Sequence, residues 1–183
     1  MATTKHTIVA LVEDKPGALT RIASLFRRRG FNIESISVGH SEIPRLSRVT
    51  IVVDGANATI EQVRKQLDKV IEVVRLSDIT NEDITARELA LVKVKATSTT
   101  RSEIMQIVDI FRANIVDVAS ESVTVEVTGD EQKINSLLTL LHGFGVRELA
   151  RTGRIAMTRG SLNPLQLEKS PGQTPSKKEN PKS

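Results

Sequence analysis

The chain has 183 residues, a formal charge of +4, no Cys, Trp or Tyr, and four aromatics in all, Phe26, Phe31, Phe111 and Phe144. Without Cys there are no disulfides, thiolate nucleophiles or thiolate metal sites, and without exposed aromatic runs a base-stacking nucleic-acid module is disfavoured. Residues 161–183 carry Lys169, Lys177, Lys178 and Lys182 against Glu168 and Glu179, so half of the positive charge belongs to the tail and the body calls for neither nucleic acid nor an acidic membrane.

The first element is a strand over His6–Glu13, built on the apolar run Ile8-Val9-Ala10-Leu11-Val12. The turn E-D-K-P-G-A-L follows, and a helix is predicted from Pro16 to Arg29 with Leu19, Ile22, Leu25 and Phe26 at helical spacing. Arg27, Arg28 and Arg29 suit the negative helix end, and Gly30 supplies the stop. Two strands are expected at Phe31–His40 and Arg48–Asp54. In the first, apolar residues fall at 31 and 33, then at 36 and 38, a phase slip that predicts a bulge near Glu34-Ser35. A helix over Thr59–Lys69 and a strand over Val73–Ile79 complete a β-α-β-β-α-β unit.

The polar stretch 80–87, TNEDITAR, reads as a linker. The same order then repeats. Leu89–Ala96 is a strand, Thr100-x-x-Glu103 reads as a capping box, and Ile104, Ile107, Val108 and Phe111 mark a helix. Strands at Ile115–Ala119 and Val123–Thr128 precede a helix with Ile134, Leu137, Leu138 and Leu141, ended by Gly143. Val146–Met157 is read as one last strand. The fold class is therefore α+β, with two tandem ferredoxin-like (βαββαβ) domains at 1–79 and 88–160 and a disordered tail at 161–183. Such units leave one sheet face bare, which favours pairing with another copy. The N-terminal MATTKHT has no apolar signal core and no run reaches membrane-spanning length, so a cytoplasmic location is expected, with no membrane partner.

No catalytic constellation emerges. His6, His40 and His142 are isolated, both phosphate-loop glycine patterns are absent, and the first loop lacks the arginine that an acylphosphatase of this strand order needs. No metal site and no catalytic residue are assigned. The turn is different. Pro16 suits the first helical position and Asp14 the N-cap, leaving the N–H groups of Gly17, Ala18 and Leu19 at the positive helix end. From the residues alone this reads equally as a carboxylate cradle or as a plain helix start with water on its donors. Asn32, at the start of the next strand, is either a turn residue or an amide that reads a ligand.

The stretch D-K-P-G-A-L-T-R-I-A-S-L-F-R-R-R-G-F-N-I-E-S-I-S-V, with L-S-R-V-T-I-V-V, A-L-V-K-V and I-F-R-A-N-I-V-D-V, resembles the small regulatory subunits of acetolactate synthase (acetohydroxyacid synthase). The match covers residues 5–160, and P-G-A-L marks the wider class of amino-acid-binding ACT domains, so the first domain is identified as an ACT domain. The resemblance implies a non-catalytic subunit with no cofactor of its own. Its partner would be a large catalytic subunit holding thiamine diphosphate, Mg and FAD, which condenses two 2-oxoacids in branched-chain amino-acid synthesis. The small subunit would activate that partner and confer feedback inhibition by valine, as a homodimer with effector at the interface between ACT domains. Motif by motif, the effector residues would be Asp14, Gly17, Ala18, Leu19, Thr20, Asn32 and Ile33, with Gly39 as a weaker addition. The family often has a polar residue where Pro16 stands, so a donor would be missing there. A free-standing amino-acid sensor without a catalytic partner is the alternative.

Overall fold

The computed structural model describes residues 5–167. The first unit contains β1 (Lys5–Glu13), α1 (Ala18–Arg29), β2 (Ile33–His40), β3 (Leu46–Asp54), α2 (Asn57–Leu67) and β4 (Val73–Asp78). Its strands form an antiparallel sheet in the order β2-β3-β1-β4. Ile8, Ala10 and Val12 of β1 face the helices and pack with Ile22, Phe26, Ile51 and Val63. The bulge in β2 falls where the phase slip put it. Ile33 pairs with Val53 and Ser35 with Val52, leaving Glu34 as the extra residue.

The second unit contains β5 (Ile84–Lys95), α3 (Arg101–Ile110), β6 (Asn114–Val118), β7 (Ser122–Gly129), α4 (Glu131–His142), β8 (Val146–Arg151) and β9 (Ile155–Thr158). The sheet order is β6-β7-β5-β8, and β9 pairs with the first part of β5. Both units are therefore the expected α+β sandwiches. The capping box does not form. Thr100 has helical torsions and makes no side-chain cap; its hydroxyl accepts from the Thr97 backbone N–H at 3.0 Å instead. Asp130 is the true cap of this unit, accepting from the Lys133 N–H at 2.8 Å.

Three expectations are corrected together, and for one reason. Ile84–Arg87 is strand rather than linker, Val146–Met157 is two strands rather than one, and Leu165 and Leu167 of the tail are packed against the body rather than loose. The remaining tail, 168–183, lies outside the described residues. Gly153, at φ +79°, breaks the last strand so that β9 leaves the second sheet and crosses to the first unit. There the β5–β9 ribbon covers the sheet face opposite the helices. Val9, Leu11, Ile79, Ala156 and Leu165 form a separate core, with Ile43, Leu46, Ile84 and Ala86 packed against it. The first sheet is thus not bare, and this unit has no uncovered face to drive pairing with another copy. The second sheet solves the problem differently. Its outer face mixes the exposed Leu91 with charge, Lys93 being paired to Glu148 at 2.9 Å and Asn114 donating to Glu126 at 3.2 Å.

Charged side chains join the two units beside the ribbon. Lys5 of β1 donates to Glu34 on the β2 bulge and to Glu131 at the start of α4. Arg154 donates to Glu131 at 2.7 Å and to Thr7 Oγ1 at 3.1 Å. The Lys5 hydrogen bond holds the Glu131 carboxyl below its ordinary value against partial burial, and the Lys5 and Arg154 charges add to this. Glu131 in turn, followed by Glu34, raises the Lys5 ammonium.

Two outcomes follow. Leu165→Ala lowers stability by about 2–3 kcal/mol, the ordinary cost of truncating a buried leucine, read from urea midpoints. A carboxyl depressed in the fold contributes stability that is complete above its unfolded pKa and lost as pH falls through the folded value. Urea midpoints therefore drop as pH descends below the usual carboxylate range, and Glu131→Gln flattens that drop.

Candidate functional site

The turn after β1 is held from both sides. Glu13 N–H donates to Glu72 O at 2.8 Å and Asp14 N–H to Arg45 O at 2.9 Å. Gly17, not Asp14, is the N-cap of α1, at φ +90°, and Ala18 is the first helical residue. The left-handed step at Gly17 turns the chain between Pro16 and the helix, which moves Pro16 out of the first-turn position expected for it. The missing N–H of Pro16 therefore takes no donor away from the helix end.

The donor set also changes. Ala18 N–H is used by Lys15 O at 3.3 Å, whereas Gly17, Leu19 and Thr20 N–H have no protein acceptor among the described residues. No acidic side chain lies in the first turn of α1, so its positive end is uncompensated. A Cβ at Gly17 would meet nothing within 4 Å, so the backbone at the cap is open on that side. Ala18 is buried and Ile33 packs on the helix-side core, so neither side chain is free to touch a ligand broadly. Asp14, Gly17, Leu19, Thr20 and Asn32 are exposed.

Asn32 is not beside the turn. It precedes Ile33, which sits level with Val53 and, one strand further, His6 at the far end of β1. Seven residues of strand separate that level from Glu13, about 23 Å at an ordinary strand rise. Within one chain the predicted site residues form two groups at opposite ends of the sheet.

The residue that does sit at the turn is His40, the last of β2. Its Nδ1 lies 3.5 Å from Asp14 Oδ2. In the sequence His40 is an isolated histidine. The signal that places it is topological: β2 runs parallel to β1 two strands away, so its end and the turn share one rim. Beside them lies an apolar strip. Ile36 is 41 % exposed and Val38 43 %, both on the β2 edge of the sheet, and Leu19 in the first turn of α1 is 44 % exposed.

The second unit repeats the geometry without the opening. Asn114 stands at the start of β6 next to a bulge, as Asn32 does before β2, yet its amide is spent on Glu126. The turn before α3 is closed by reciprocal Thr97–Thr100 bonds, with Thr97 N–H to Thr100 Oγ1 at 3.0 Å and Thr100 N–H to Thr97 Oγ1 at 3.2 Å. Open helix-end donors beside an unspent edge belong to the first unit. Because Gly17 is left-handed, Gly17→Ala costs about 1 kcal/mol in backbone strain even with empty space around it, measured as a urea midpoint shift with helix content kept.

Comparison with known proteins gives a consistent picture. Residues 8–75 match the family model described as "AHAS small subunit-like ACT domain", and residues 87–160 match "Small subunit of acetolactate synthase". An Archaeoglobus fulgidus protein named "Probable acetolactate synthase small subunit" is 54% identical over 157 residues, covering 86% of this chain and 98% of its own. The acetolactate synthase small subunit of Mycolicibacterium smegmatis is 48% identical over 158 residues, covering 86% and 93%. The crystal structure of the Thermotoga maritima acetolactate synthase small subunit superposes with a TM-score of 0.80 at 44% identity, covering 86% of this chain and 99% of that one. With its ACT domain and its matching second domain, the chain belongs to the family of acetolactate synthase small subunits.

Proposed function

We propose that the chain activates a large catalytic subunit of acetolactate synthase and makes it sensitive to valine, which binds between the ACT domains of two copies. In this reading the chain does no chemistry. Thiamine diphosphate, Mg and FAD belong to the partner.

The observation that carries the proposal is the separation of Asn32 from the turn, together with the open edge of β2. Antiparallel pairing of β2 from two copies, about a two-fold axis near Ile36, sets residue 32 of one strand opposite residue 40 of the other. One copy's Asn32 then meets the other's His40, Asp14 and helix end, and the two groups become one site. The edge is suited to this. β2 is eight residues long, carries no Lys or Pro to block pairing, and leaves Ile36 and Val38 exposed.

Valine fits the chemistry assembled there. Its carboxylate takes the N–H groups of Gly17, Leu19 and Thr20 at the helix end. Its ammonium takes the Asn32 amide oxygen or the Asp14 carboxylate. Its short branched side chain takes the apolar strip of Leu19, Ile36 and Val38. Inhibition then requires valine to favour one arrangement of the subunits over another.

Titrating a purified large subunit with this chain, with and without valine, tests the whole reading. Activation that valine reverses is expected. No binding to and no activation of any large subunit overturns it and leaves a free-standing sensor. Gly17→Asp abolishes valine inhibition and keeps activation, because it sets a negative charge where the carboxylate goes; full valine sensitivity in this variant would move the site elsewhere. Asn32→Ala weakens valine binding by about 1.5–3 kcal/mol in calorimetry, the scale of a hydrogen bond to a charged group.

A further inference from the structure

We infer that the second domain holds the start of β2 in place through a latch made by Lys5, Glu34, Glu131 and Arg154, and that these four are positioning residues for the effector site. The inference rests on the proposed valine site.

The latch meets β2 at the bulge. Glu34, the extra residue of the bulge, points its carboxylate to Lys5, and Lys5 also donates to Glu131 at the first turn of α4. The next residue, Ser35, is touched from the second domain as well. Arg154 N–H donates to Ser35 Oγ at 3.4 Å, and a Cβ on Gly153 would come within 3.2 Å of the Ser35 Cβ. Gly153 thus allows a backbone approach that another residue would obstruct. Arg154 also reaches Thr7 of β1 and Glu131 of α4, so both units share one set of charges. Asn32 lies two residues before Glu34.

A cavity of about 380 Å³ opens beside this contact, lined by Glu34, Glu88, Glu131, Arg151 and Arg154 among others. Each of those charges is already paired. Glu34 and Glu131 take Lys5, Glu131 also takes Arg154, and Glu88 takes Arg151 through both of its oxygens at 2.6 Å. No charge remains for a ligand, so the cluster acts by joining the units rather than by binding. A bulge is a point where ladder bonds are interrupted and a strand can shift. Clamping it from the second domain fixes the direction in which Asn32 leaves the sheet, and releasing it lets the strand end move without unfolding the core.

The test uses the full chain with Lys5→Met, Glu131→Gln and the double variant. Lys93→Met, which breaks an ion pair on the far face of the second sheet, is the control. The first readout is amide hydrogen exchange. Latch variants exchange about three- to tenfold faster at residues 33–36, while the buried amides of β1 and the control variant stay as in the natural chain. The second is calorimetry with valine. Latch variants bind about three- to tenfold more weakly, the double variant binds no worse than the weaker single, as one shared network requires, and activation of the large subunit persists. Unchanged exchange at residues 33–36 overturns the latch. Faster exchange with unchanged valine affinity overturns its role in the effector site. If the natural chain itself binds no valine, the proposed function fails, and exchange alone decides whether the second domain holds β2.

Discussion

A four-stranded sheet with both helices on one side must hide its other face, and the structure is organised by how that is done. Thr7, Val9 and Leu11 point away from the helices and are nonetheless buried. What covers them comes from the second half of the chain: the start of β5, Ala156 of β9, and Leu165. Each large aliphatic side chain buried there contributes on the order of 1.5–3 kcal/mol. The ribbon therefore ties the two units by hydrophobic burial first, and the Lys5–Glu131–Arg154 charges add direction to that contact.

The same arrangement decides which edges stay open. Covering one face of the first sheet leaves the β2 edge free, because the ribbon lies across the sheet rather than alongside it. The open edge is flanked by helix-end donors at one end and by Asn32 at the other. In the second unit the equivalent polar groups are satisfied internally. The repeat thus divides its labour: one copy of the sandwich keeps its turn open, and the other closes its turn and holds the first in place.

Much of this was legible in the residues. The period of the apolar positions located all four helices to within a few residues, and the slip from Ile33 to Ile36 located the bulge in β2. The covering of the first sheet was legible in principle. Ile8-Val9-Ala10-Leu11-Val12 is a continuous apolar run, the mark of a strand buried on both faces, whereas Val123-Thr124-Val125-Glu126-Val127 alternates and keeps one face wet. The polar letters of TNEDITAR concealed a strand, since Ile84 and Ala86 pack inward while Thr85 and Arg87 are exposed. At the turn, the motif P-G-A-L located the helix start, but only torsions showed that Gly17 rather than Asp14 caps it and that Ala18 spends its N–H on Lys15.

Sequence by itself determined the two sandwiches, the bulge, the family and the residue types around the turn. These depend on periodicity and short-range sterics, which act over a few residues. Tertiary structure decided which of those residues are neighbours. It set Asn32 and the turn at opposite ends of one sheet, brought His40 to Asp14, and carried β9 onto a face it could not reach by local preference. Strand order and long-range burial are properties of the whole packed chain, so no short stretch, EDKPGALTRI included, contains them.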